Sequence, residues 1–120
     1  MPIGPAPLYL LPGLMCDDRI WAGQLAALAA YSPVAVGSYG DARSLAAMAR
    51  RVLTSAPDRI SLAGHSMGGR VALEIVRLAP DRVERLALLD TGVHPVAAGE
   101  REKRMALLEL GKRDGMDALV

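Results

Sequence analysis

Ile60-Ser61-Leu62-Ala63-Gly64-His65-Ser66-Met67-Gly68-Gly69 decides how this chain is read. A short apolar run of strand character enters a serine flanked by glycines. A helical pattern then continues through Val71, Leu73, Ile75, Val76 and Leu78 to Pro80. A G-x-S-x-G placed at a strand-to-helix turn holds its serine strained and exposed, the setting of a nucleophile. So tight a turn leaves no room for neighbouring Cβ atoms, which accounts for glycine at 64 and 68. The helix opening at Met67 also aims unpaired N–H groups at the same spot.

Working outward, three further apolar runs match the one before the serine: Pro7 to Leu11, Pro33 to Val36, and Val83 to Leu89. Their near-continuous hydrophobicity is that of strands covered on both faces. Helix-period segments lie between them. One runs from about Asp18 to Ala30, with Ile20, Trp21, Leu25 and Leu28 on one side and Asp17 or Asp18 as its N-cap. Another runs from about Ala42 to Ser55, with Asp41 as cap, Leu45, Met48, Val52 and Leu53 inward, and Pro57 as its stop. Strand and helix alternating at this spacing mean βαβ units, so the expected fold class is α/β, a parallel sheet of about four strands with helices on both faces. After Asp90 the character changes. Thr91 to Gly99 reads as loop, and Glu100 to about Lys112 as a charged helix with a modest stripe of Met105, Leu107, Leu108 and Leu110.

The composition bounds the function. With 120 residues the chain is one domain or a piece of one, and 52% hydrophobic residues against 22% charged suit a packed core. A formal net charge of +1 gives no pull toward nucleic acid or an anionic membrane. Cys16 is the only cysteine, which excludes an intrachain disulfide and a paired-cysteine metal site; it is expected to be a small buried or half-buried residue. The first residues carry no charged leader, and Leu8 to Leu11 is too short for a signal core or membrane span, so a cytoplasmic protein is expected.

A serine hydroxyl needs an exposed geometry, donors for the oxyanion and a base. One donor would be the Met67 N–H. The other would come from Leu11-Pro12-Gly13-Leu14 after the first strand, where Gly13 lets the Leu14 N–H turn inward. If the sheet winds both ways from that strand, the two loops meet at a topological switch point, where ligands bind. A phosphate loop is set aside, because Gly64 to Gly69 lacks the Lys-Ser/Thr pair and the first strand is not followed by G-x-G-x-x-G.

These residues resemble the α/β-hydrolase fold enzymes, in their small esterase-like and C–C-hydrolase-like branch, along essentially the whole chain. Leu10 to Leu14 resembles the oxyanion loop, Asp17 to Trp21 the start of the next helix, Gly64 to Gly69 the nucleophile elbow, and Leu88 to Thr91 the end of the following strand. Pro12 stands where many members carry histidine, at a position that acts through backbone. The resemblance implies a strand order of 2-1-3-4, Ser66 as nucleophile, and Gly13, Leu14 and Met67 around the oxyanion. It implies no cofactor and no metal. It also implies that residues 1–93 are the N-terminal part of the core and 94–120 the beginning of an incomplete cap, with the usual acid and histidine on later strands that the chain lacks. Asp90 lies where some hydrolases of this fold place the acid; a turn-forming aspartate is the plainer reading. His94 follows in the family's chain order, but with three residues between it and Asp90 the pair would have to sit on one loop; a loop histidine is the plainer reading and a base the other. His65 should point away from Ser66 and be structural.

Two functions follow. The first is a serine hydrolase of a small carboxylic ester or related acyl compound, truncated before its histidine. The second is a non-catalytic remnant, or a fragment whose partner supplies the other strands. In either, Val83 to Leu89 is an exposed apolar edge that invites self-association.

Overall fold

The computed structural model describes residues 4–119, so the reading of the first residues lies partly outside it. Strand β1 (Leu8–Leu11) leads through a 3₁₀ turn (Asp18–Trp21) into helix α1 (Ala22–Ala29). Strand β2 (Val34–Val36), helix α2 (Leu45–Ser55), strand β3 (Ile60–His65), helix α3 (Met67–Leu78) and strand β4 (Val83–Leu89) follow, and helix α4 (Glu100–Asp114) comes last of the α-helices. The four strands form one parallel sheet in the order β2-β1-β3-β4. The chain therefore moves one way from β1 to β2 and the other way to β3, which puts the switch point at the carboxyl ends of β1 and β3.

Strand alternation divides the core between the two faces. On one, Leu11, Ile60 and Leu62 pack with Ala49 and Val52 of α2 and Val71, Ala72 and Ile75 of α3. On the other, Leu10 and Ala63 pack with Trp21, and Leu25 and Leu28 of α1 close over them. Helices thus cover both faces, as the unbroken apolar strands require. The cover fails at β4, where every residue after Val83 is exposed. Helix α4 packs chiefly on the 3₁₀ turn Met116–Leu119 rather than on the sheet. Among the described residues no helix is long and apolar enough to cross a membrane.

Three local expectations are corrected. Helix α2 starts at Leu45, capped by Ser44, whose hydroxyl accepts from the Ala47 N–H at 3.0 Å; Asp41 is instead paired with Arg51. The first helical segment is capped by Asp17, as expected, but opens as a 3₁₀ turn, and Leu45 and Ile20 are exposed rather than inward. Cys16 is exposed, because it ends a tight turn in which its N–H donates to the Gly13 carbonyl and Met15 takes a positive φ of 59°.

The end of α2 is held from a distance. One terminal nitrogen of Arg82 donates to the carbonyls of Leu53 and Ala56 at 3.1 Å and of Pro57 at 2.9 Å, groups a helix end leaves unpaired. Hydrogen bonds from a charged donor are each worth roughly 1.5–3 kcal/mol. Arg82→Met should therefore lower the unfolding free energy by about 2 kcal/mol in urea titration, and an unchanged midpoint would sink this account. Gly23→Ala, in open space on α1, should instead stabilise by about 0.4–1 kcal/mol.

Candidate active site

Ser66 joins β3 to α3 at φ 54° and ψ −119°, a region L-residues rarely enter. Packing enforces it. A Cβ on Gly64 would fall 2.3 Å from the Gly68 carbonyl oxygen, and one on Gly68 would fall 2.1 Å from the Leu11 oxygen. Helix α3 therefore begins in backbone contact with both β3 and the end of β1. The Ser66 N–H donates to the Leu89 carbonyl at 2.9 Å, and the Ser66 carbonyl accepts from the Thr91 hydroxyl at 2.7 Å. Both ends of the serine's backbone are thus tied to β4 and its exit.

The loop after β1 lies against the same turn. A Cβ at Gly13 would sit 3.2 Å from the Ser66 Cβ and 3.2 Å from the His65 carbonyl oxygen. The Tyr39 hydroxyl donates to the Pro12 carbonyl at 2.8 Å and fixes this loop from β2's exit. Burial pushes the Tyr39 hydroxyl above its usual range, so it remains a donor at all ordinary pH. Among the described residues, neither the Leu14 nor the Met67 N–H is engaged by another group.

Ser66, Leu14, Met67, Asp90 and His94 all line one cleft of about 570 Å³ at the switch point. Asp90, like Ser66, has a positive φ, here 47°, at the end of its strand. Among the described residues neither Asp90 nor His94 hydrogen-bonds Ser66 or the other. The His94 ring packs over Gly92 instead, where an added Cβ would meet it at 2.6 Å. His65 faces the opposite side of the sheet, beside Ile20, Trp21, Gln24 and Leu89, and so does not share the serine's cleft. Among the described residues no three His, Cys, Asp or Glu side chains gather to hold a metal.

Sequence reasoning missed Tyr39 and Thr91 as supports of the site. Thr91 was within reach of it, at the end of the β4 run; Tyr39 carries no local signal.

A strained serine between strand and helix, backed by a glycine-bearing loop at the sheet's switch point, defines an α/β-fold hydrolase scaffold. The model of the alpha/beta hydrolase fold matches residues 12–113, and the chain belongs to this family. A pimeloyl-[acyl-carrier protein] methyl ester esterase of Pectobacterium carotovorum is 37% identical over 91 residues, 69% of this chain and 36% of that protein. Its counterpart in Klebsiella pneumoniae is 36% identical over 91 residues, 69% of this chain and 35% of that one. A thermophilic esterase from Thermogutta terrifontis superposes with a TM-score of 0.77 at 26% identity, over 93% of this chain and 46% of the other. The chain thus spans about a third of the length of these curated relatives.

Gly68→Ala should be among the most damaging single methyl additions, since the contact it creates is with backbone. A loss of about 3 kcal/mol in denaturant unfolding is expected, and a variant as stable as the parent would refute the packing described.

Proposed function

We propose that the chain carries the nucleophile half of a serine hydrolase acting on a small carboxylic ester or related acyl compound. The observation that carries this is the conformation of Ser66, φ 54° and ψ −119°, held by backbone contacts at the mouth of the cleft. A turn strained only to make a corner would not need to face a cleft. The esterases similar to this chain support the choice of ester.

In this reading the Ser66 Oγ bonds to the substrate carbonyl carbon as its proton passes to a base. The carbonyl oxygen becomes an oxyanion, held by the N–H groups of Leu14 and Met67, with Gly13 keeping the loop close enough. Collapse expels the alcohol, which takes up the proton, and water then releases the acid from the serine. The base comes from outside these residues, because His94 packs on Gly92 and bonds neither Ser66 nor Asp90. Asp90, at the cleft, is the carboxylate available to orient such a base. We read residues 94–120 as the first part of a cap, a reading supported by Val96, Glu100 and Arg104 lining the cleft. No cofactor enters the scheme.

The bare β4 favours a second reading, a fragment completed by another segment or a second copy pairing along that edge. Light scattering should find the isolated 120-residue chain oligomeric or aggregated, and a monodisperse monomer would count against it.

Prolonged incubation with a fluorophosphonate should add one phosphonyl group, mapped by peptide mass spectrometry to Ser66 and absent from Ser66→Ala. An adduct mapped to another residue and retained in Ser66→Ala rejects the nucleophile assignment. Ester turnover by the isolated chain should be weak. Robust turnover abolished by both Ser66→Ala and His94→Ala would make His94 the base after all.

A further inference from the structure

The cleft beside Ser66 holds two cations that the ester chemistry above does not use. Arg43, in the loop before α2, and Arg70, in the first turn of α3, both line it. Among the described residues neither is paired with a carboxylate, whereas Arg104, which also lines it, is tied to Glu100 at 2.8 Å. The Arg70 guanidinium lies beside the loop after β4, a terminal nitrogen 3.5 Å from where a Cβ on Gly92 would stand. Two unpaired guanidinium groups thus share the cleft with one unpaired carboxylate, Asp90. Much of the remaining wall is apolar, through Leu14, Met48, Met67 and Val96.

A guanidinium is a planar fork of donors that matches a carboxylate's two oxygens, and it cannot shed its charge. Arg43 is exposed and Arg70 half-buried, so water solvates both in the cleft, and a ligand carboxylate entering there can take the water's place. We infer that the ester taken by this cleft carries a free carboxylate, received by Arg43 and Arg70, with a short apolar spacer between that carboxylate and the carbonyl presented to Ser66. This rests on the reading of the Ser66 cleft as the substrate site, and it narrows the substrate to half-esters of small dicarboxylic acids and their like. The volume of about 570 Å³ holds such a molecule comfortably.

The test is equilibrium binding to the Ser66→Ala protein, which keeps the cleft and removes the nucleophile. Calorimetry would compare monomethyl glutarate, which has one carboxylate, with dimethyl glutarate, which has none. The monoester should bind about tenfold tighter, the scale of one or two charge-assisted hydrogen bonds. That ratio should fall toward one in Arg43→Gln/Arg70→Gln and persist in Arg101→Gln, a charge on α4 that does not line the cleft. Equal affinities, binding of neither ester, or a ratio that survives the double substitution would each overturn the inference. Because affinity is read without Ser66, phosphonate labelling at a residue other than Ser66 with an intact ratio would reject the nucleophile and keep the carboxylate pocket. Labelling at Ser66 with no ratio would do the reverse.

Discussion

Everything at the carboxyl end of the sheet depends on one close approach, that of Gly68 in the first turn of α3 to the carbonyl of Leu11 at the end of β1. A side chain at position 68 would meet that oxygen at 2.1 Å, so only glycine lets the helix start there. The contact draws three things together at once. It ends β3 in a turn too sharp for ordinary backbone, it holds the loop through Gly13 against Ser66, and it orients the N-terminus of α3 toward the resulting cleft. Because β2 and β3 flank β1, no other strand crosses above this point, and the space stays open.

The alternation of β3 then separates two environments that adjoin in sequence. Ser66 belongs to the cleft, while His65 sits on the α1 face near Trp21. There the His65 Nδ1 and the Trp21 Nε1 are both buried without a hydrogen-bond partner, beside a cavity of about 220 Å³. Burying such groups unpaired costs free energy, so this face is less settled than the one under α2 and α3. The imbalance matches the exposure of β4, whose flank is the least covered part of the sheet.

The parts legible in the sequence are those that local chemistry dictates. The β4 run Val83 to Leu89 has the bounds its hydrophobicity indicates, and the glycines around Ser66 mark the turn in the sequence itself. The strand order came only through resemblance, because no periodicity says which strands pair. What stayed hidden depends on partners far along the chain. Tyr39 reaches Pro12 across 27 positions with no neighbour that announces it, and Thr91 reaches Ser66 across 25, where only its place at the end of the β4 run hints at the contact. The cap of α2 was misplaced for a related reason. Asp41 and Ser44 are both good caps in isolation. The choice fell to Ser44, while Asp41 pairs with Arg51, ten residues on. Cys16 was misjudged because composition cannot foresee a left-handed Met15 turning the loop outward.

The grip of Arg82 on the end of α2 also sets an order of events. The carbonyls of Leu53, Ala56 and Pro57 gain their donor from a residue 25 to 29 positions downstream. During synthesis at about 5–20 residues per second, those groups leave the ribosome seconds before the arginine does. Until it arrives, the carbonyls of Leu53, Ala56 and Pro57 lack this donor, although the Ala56 N–H and the Ser55 hydroxyl already serve Val52. One side chain thus couples the end of α2 to the turn before β4, across the whole of the β3–α3 unit.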